Sequence, residues 1–440
     1  MKNQFLFTLL LASSLMFGCN SNSNSQQTSP KNTVKTGAGN ELDLPEADTK
    51  ASKNKFSKVI GWPEGKTPVA PAGFVVTRFA DQMKSPRNIV IAPNGDVIVV
   101  LSNSQRTKVE QLANAVTGKA KSEVSGKSVN TVMLFRDANN DGKPEIRATF
   151  LAGLNQPYGV AFIGNSFYVA NTDGVYQYAY KTGDTVINGT GKKILDLPAG
   201  GYNNHWTRNL LVSADKSKLY VSVGSGSNVA EHGMENEKRR ANILEINPDG
   251  TGEQIYGSGL RNPVGMAWAP GTNTLWTAVN ERDGLGDDLV PDYITSVKRG
   301  AFYGWPFAYF GQNEDPRLKG QNPELVAKTI VPDIPVGSHT ASLGLAFYTA
   351  KKFPSKYQDG AFIGQHGSWN RSQLAGYKVT FVSFKQGKPT GKMEDFLTGF
   401  VSDLAAGEVY GRPVGIAVAK DGSMLVADDV SGIIWRIATK

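Results

Sequence analysis

The chain holds four histidines in 440 residues, and three of them lie in motifs with charged or amide neighbours. His205 opens HWTR, His366 lies in QHGSWNR, and His339 precedes a strand-like run. Near neutral pH an imidazole can take a proton from a hydroxyl, and neighbouring cations favour its neutral, base-competent form. Arg208, Arg261, Arg371 and Arg412 supply such cations, and guanidinium groups pair bidentately with carboxylates. The run NERDGLGDD adds Glu281, Asp283, Asp287 and Asp288, oxygen donors of the kind a hard cation such as Ca2+ takes. Together these residues suit an anionic polycarboxylate that is also metal-bound. The chain has no GxGxxG after a strand, no GxxxxGK[ST], no CxxCH and no GxSxG. Nucleotide, haem and serine-hydrolase chemistry therefore lose support.

Positioning these groups requires a repeating scaffold. One pattern recurs: a small turn element, an apolar strand, a polar turn, and a second apolar strand ending in polar residues. Copies start at Ser85, Gln156, His205, Asn262 and Arg412, with a looser one at His339. Further strand candidates between copies (GVYQYAY, NILEINPDG, GYKVTFVSF, GIIWRIA) give each unit about four strands. The expected fold is all-β, a six-bladed β-propeller with four-stranded blades, preceded by a signal peptide and a flexible tether. A sandwich or a pair of barrels would not repeat one first-strand signature. In a propeller the turns before first strands and those after second strands gather on one face. Arg87, Asn155, His205, Arg208, Arg261, Asn262, His339 and Arg412 hold the first register. Asn171, Asp173, Ser225, Glu281 to Asp283, His366 to Arg371, Asp428 and Asp429 hold the second. The active site is expected on that face. Two long excursions, 105–129 (basic, helix-compatible) and 292–340 (rich in Pro, Gly and aromatics), read as functional loops or lids.

The remaining features concern location. MKNQFLFTLLLASSLMFGC has a lysine, an apolar run and a small residue before the only cysteine, Cys19. That layout is a secretory signal ending in a lipobox-like LMFGC, so Cys19 is expected to be lipidated after cleavage. With no second cysteine, Cys19 has no intramolecular disulfide partner. The domain reading is 1–18 signal peptide, 19–57 flexible Ser/Asn/Gln-rich tether and 58–440 propeller. The protein is thus expected to be exported and periplasm-facing on a lipid anchor, in the outer membrane. The net charge of +8 is scattered, and no nucleic-acid motif is present, so nucleic acid is excluded as a partner.

RRANILEINPDG, GLRNPVGMAW, NERDGLGDD and GAFYGWP, in that order with HWTR and GRPVGIAVAKDG, resemble the glucose/sorbosone dehydrogenase family over about residues 72 to 437. The likeness is closer to the sorbosone dehydrogenase branch than to soluble glucose dehydrogenase. The resemblance implies a six-bladed propeller carrying pyrroloquinoline quinone (PQQ), held by arginines and Ca2+. It makes His205 the base that takes the substrate hydroxyl proton while hydride passes to the quinone. It places Arg261 with Asn262 on the quinone, Arg412 on a quinone carboxylate, and Arg371 in the matching loop of the fifth blade. Asp283 and Gly284 fall where the family offers carbonyl oxygens to Ca2+. Soluble glucose dehydrogenases have Gly-Pro there, which points to the Asp283 carboxylate as a ligand instead. They also have an acid where this chain has Ser225, leaving Glu231 and Glu235 as the acids that would orient His205. The substrate is a sugar or sugar-derived aldehyde, and electrons leave to a separate acceptor. A calcium-dependent propeller hydrolase such as a lactonase has no need of the arginines, and a binding propeller has no need of the histidine. DANNDGKPE, from Asp137 to Glu145, resembles half a calcium loop but also an Asx-rich hairpin turn; any calcium there is structural.

Overall fold

The computed structural model describes residues 32–50, 53–124 and 127–440. The leader and Cys19 lie outside the described residues. The recurring apolar pairs form the inner strands of six antiparallel sheets. Their first strands are Pro86–Ile91, Gly159–Ile163, Leu210–Val212, Pro263–Trp268, Ser342–Phe347 and Pro413–Val418. Each pairs with the next strand along the chain, and two further strands complete five of the sheets; the third also takes a short parallel edge strand, Ala301–Phe302, beside Gln254–Ser258. The sixth sheet takes its outer strand from far back in sequence: Phe74–Ala80 pairs antiparallel with Ile433–Thr439. That pairing is invisible to the repeat pattern, because the two strands stand at opposite ends of the described chain.

Four of the six first strands carry a glycine at one register, for a physical reason. Gly159, Gly265, Gly344 and Gly415 lie where neighbouring first strands touch. A Cβ on Gly344 would come within 2.0 Å of the Val414 carbonyl oxygen, and one on Gly415 within 2.7 Å of that of Arg87. In the first and third sheets asparagine holds this register and bridges the contact instead. Asn88 Nδ2 donates to the Tyr158 carbonyl at 3.1 Å, and Asn209 Nδ2 to that of Val264 at 2.7 Å.

Alternation along the strands sends side chains to both faces, and both are buried. Each neighbouring pair of sheets shares an apolar layer. Phe150, Phe167 and Val169 fill the first, Val221, Leu244 and Ala170 the second, and Leu275, Tyr293 and Ile243 the third. Trp276, Ile363 and Phe384 fill the fourth, and Phe362, Trp435 and Phe396 the fifth. Val99, Leu425 and Ile434 form a sixth layer between the last sheet and the first. A central cluster of Tyr158, Trp206, Val264, Leu343 and Val414 fills the space between first strands.

Two expectations about the chain path are corrected. The tether expected over 19–57 is ordered in part: Asn32–Lys35 and Glu41–Leu44 form a hairpin. The polar composition hid an alternating ELDL, whose Leu44 is buried with Leu285 and Leu289 between the third and fourth sheets. Further on, Lys55 N–H donates to the Trp369 carbonyl at 2.9 Å, and Phe56 stacks on the Trp369 ring. The second excursion is shorter than 292–340. Pro291–Ser296 and Ile334–Ser338 are outer strands of the fourth sheet, so the insertion proper lies between them. The first excursion does hold a helix, Lys108–Thr117, with a capping box between Thr107 and Glu110.

Candidate active site

A cavity of about 470 Å³ opens where turns before first strands meet turns after second strands. Arg87, His205, Arg261, Asn262 and Arg412 reach it from the first register, and Asp283, His366 and Asp429 from the second. Leu343 of the central apolar cluster also lines it. A second cavity of about 370 Å³ at the other end of the same strands is lined mainly by aliphatic residues.

His205 is held through Nδ1, 2.9 Å from both the Ser225 carbonyl and Ser225 Oγ. Ser225 Oγ spends its own proton on the Ser227 carbonyl at 2.7 Å, so both groups facing Nδ1 are acceptors. Nδ1 therefore carries the proton and Nε2 the lone pair. Burial, then the Arg261 charge, push the imidazole pKa down to about 3, favouring the neutral ring. Glu231 and Glu235 do not orient this histidine. Glu231 caps the Asn228 and Val229 N–H groups, and Glu235 lies beside Asn236. The carboxylate behind His205 is Glu237, which accepts from Gly226 N–H at 2.7 Å and from Ser227 Oγ at 2.5 Å. It stands one layer back, where spacing along the chain did not point.

A second histidine faces the same cavity with a different partner. His366 Nε2 is 2.9 Å from Asp429 Oδ1, and Arg87 holds Asp429 Oδ2. Burial, then Arg412, push the His366 pKa down to about 4 against the pull of Asp429.

The four arginines divide. Arg261 lines the cavity, its guanidinium spanning the carbonyls of Asn228 and Glu281, Asn228 Oδ1 and the Asp283 carboxylate. Arg412 also lines it, braced by the His366, Gly367 and Ser122 carbonyls. Arg208 does not reach the cavity. It is fully buried and consumed by the His205, Thr207 and Pro198 carbonyls and Asn203. Arg371 also points elsewhere, to the Ser338 carbonyl and Asp288. Sequence places an arginine near a site, but nearby carbonyls decide where its fork ends.

Three cavity groups went unrecognised in sequence. Asn228 joins Arg261, Asp283 and Trp305, whose Nε1 donates to the Asn228 carbonyl at 2.9 Å. Lys119 and Arg106 come from the basic excursion. Lys119 Nζ has no hydrogen-bond acceptor among the described residues and sits 5.4 Å from the Trp369 ring centre. Burial, then Arg106, lower its pKa. The basic character of the excursion was the available signal.

The cavity's chemistry fits a flat, polycarboxylated quinone. Lys119, Arg87, Arg106 and Arg412 give it cations, Trp369 an aromatic wall, and the buried Asn262 Oδ1 has no partner among the described residues. The expected calcium shell fits less well. The Asp283 carbonyl accepts from Arg317 Nη1 at 2.8 Å and Asn228 Nδ2 at 3.0 Å. The Asp283 carboxylate faces Arg261 Nη2 at 3.2 Å and His339 Nδ1 at 3.3 Å. Gly284 does not line the cavity; a Cβ there would approach Arg317 Nη1 within 3.1 Å. Among the described residues, the acidic cluster with metal-ligand spacing is the outlying Asp137, Asp141 and Glu145.

Two family models match the chain: TrAA12-like over residues 68–291, about half of it, and Glucose / Sorbosone dehydrogenase over 183–400. An uncharacterized protein of Borreliella burgdorferi is 32% identical over 302 residues, spanning 66% of this chain and 77% of that protein. Aldose sugar dehydrogenase YliI of Escherichia coli is 31% identical over 185 residues, 38% of this chain and 47% of its own. The pyrroloquinoline quinone-dependent pyranose dehydrogenase of Coprinopsis cinerea is 25% identical over 299 residues, 54% of this chain and 40% of its own. Both named dehydrogenases are thus matched over less than half their length. The solved PQQ domain of the Coprinopsis enzyme shares the fold: the TM-score is 0.67 at 19% identity, over 87% of this chain and 100% of that domain.

Proposed function

The chain belongs to the glucose/sorbosone dehydrogenase family of oxidoreductases, and from that premise we propose that it is a PQQ-dependent dehydrogenase of a sugar or sugar-derived aldehyde. The observation that carries this reading is His205, its Nδ1 pinned by two acceptors and its Nε2 without a partner among the described residues, at a cavity rich in cations. We read the six sheets as the blades of a closed propeller, with the cavity at the top of its central channel.

Arg412, Lys119, Arg87 and Arg106 would hold the quinone's carboxylates, with Asn262 and Arg261 along its edge. When bound, the quinone supplies the two-electron acceptor for hydride leaving the substrate carbon. Nε2 of His205 takes the proton of the substrate hydroxyl, and its low pKa keeps the ring unprotonated before that transfer. Ser225 keeps the tautomer fixed through the cycle, and Glu237 keeps Ser225 and Ser227 in place. Arg261 beside His205 disfavours a lasting imidazolium, so the proton passes on to solvent. Turnover would require a separate electron acceptor. The leader ending at Cys19 supports export and lipid anchoring, which the mass of the mature N-terminal peptide tests.

The deciding experiment is titration of the protein with PQQ, followed by an aldose and aldehyde screen with an artificial electron acceptor. Binding with turnover that His205→Asn abolishes supports the reading. No binding under any condition rejects it.

A further inference from the structure

Five of the nine backbone carbonyls of the Asn280–Asp288 segment, that of Asp283 among them, accept from protein N–H groups. The Asn280 and Glu281 carbonyls accept from Arg261, that of Leu285 from Asp48 N–H, and that of Gly286 from His339 Nε2. The Asp283 carbonyl has two lone pairs and two donors, Arg317 Nη1 and Asn228 Nδ2. The acidic side chains are engaged as well: Glu281 by Arg282, Asp287 by Ser372, Asp288 by Arg371, and Asp283 by Arg261, His339 and Asn370.

Arg317 is not a loose surface arginine that happens to touch the loop. Asp315, fully buried, grips it twice, at Nε by 2.8 Å and at Nη2 by 2.7 Å. Asp315 also pairs with buried Arg282, whose guanidinium donates to the Pro306 and Ala308 carbonyls at 2.7 Å each. The insertion between the outer strands of the fourth sheet thus delivers a fixed guanidinium to one loop carbonyl. A divalent cation at Asp283 would have to displace Arg317 and then sit among Arg261, Arg317 and His339. Like charges at such separations repel strongly when half-buried.

We propose that Arg317 stands in for a divalent cation at this loop, so that the chain binds its anionic quinone without calcium. The inference rests on the quinone reading above. Arg317 acts as a positioning residue: it locks the Asp283 loop, which in turn holds Arg261 at the cavity wall.

The test is a fluorescence-quenching titration of the full chain with PQQ, in excess chelator and again in excess Ca2+. Dissociation constants equal within about twofold support the inference. Tightening by about tenfold or more with Ca2+ overturns it while leaving the quinone reading intact. No binding in either condition rejects the quinone reading, and this inference with it. Calcium uptake alone is not the readout, because Asp137, Asp141 and Glu145 could account for it. Arg317→Met frees the Asp283 carbonyl and is expected to make PQQ affinity calcium-responsive, whereas Arg317→Lys keeps the charge and stays indifferent. An Arg317→Met protein that remains both tight-binding and calcium-indifferent overturns the role given to Arg317. Should Arg317→Met fail to fold, the wild-type and Arg317→Lys titrations decide the matter.

Discussion

His366 Nε2 lies 2.9 Å from Asp429 Oδ1, so one cavity holds two histidines whose partners differ in kind. His366 leans on a carboxylate that Arg87 also grips, whereas His205 leans on a serine. The carboxylate pair resembles a catalytic dyad more closely, yet its role in the proposed reaction is to fix Arg87 and, through the His366 carbonyl, Arg412. His205→Asn is expected to lower kcat by about 10²–10⁴ with PQQ affinity little changed. His366→Asn is expected to act mainly on PQQ affinity. Steady-state kinetics beside binding titrations separate the two, and the opposite split would transfer the base role to His366.

Both imidazoles have pKa values below that of a free histidine, about 3 for His205 and about 4 for His366. Between those values and the unfolded value of about 6.5 the unfolded chain binds more protons, so these groups make stability rise with pH. Melting temperature is expected to climb from pH 4 to about pH 6.5 and to gain nothing more from these residues above that. The double variant His205→Gln, His366→Gln should flatten part of that slope. An unchanged slope would show that carboxylates alone carry it.

Glu237 holds two buried donors and touches neither cavity nor substrate site. Glu237→Ala leaves the Gly226 N–H and the Ser227 hydroxyl proton without an acceptor, at a cost of about 1–3 kcal/mol each. The expected result is a lower melting temperature together with a loss of kcat, because Ser225 no longer fixes His205. Stability lost at unchanged kcat would separate Glu237 from the histidine.

Lys119 has no acceptor of its own among the described residues, so its charge is available to an anion. Lys119→Met is expected to weaken PQQ binding by about tenfold and to reduce its salt dependence, since one charge pair is lost from a partly screened site. Equal affinity across ionic strengths would place the carboxylates elsewhere in the cavity.

Gly344→Ala is expected to be severely destabilising, because its Cβ would lie 2.0 Å from the Val414 carbonyl oxygen. Gly200→Ala, with open space around it, is the control and should change stability by about 0.5 kcal/mol or less. Thermal denaturation of both proteins checks the register argument directly.

The repeat was legible in its paired apolar strands, and close packing marks it as well: four of the six first strands carry Gly159, Gly265, Gly344 or Gly415 at one register, and Asn88 and Asn209 hold it in the other two. The same register located His205, Arg261, Asn262, Asp283, His366 and Arg412 at one mouth. What stayed hidden was the partner of each charged group. Arg208 shares a motif with His205, yet four oxygens close by consume it. Ser225 replaced an expected acid, and the acid reappeared behind it as Glu237 through a short helical turn, Met234–Glu237. Lys119 and Arg317 arrive on insertions whose path no periodicity describes.

Phe74–Ala80 and Ile433–Thr439 complete the sixth sheet together. During synthesis the earlier strand must wait for nearly all the chain that follows before its neighbour emerges. Until then it exposes an unpaired edge, the kind of surface from which wrong associations start. The other sheets can assemble from strands close in sequence, while the sixth is completed only once the final strand is available.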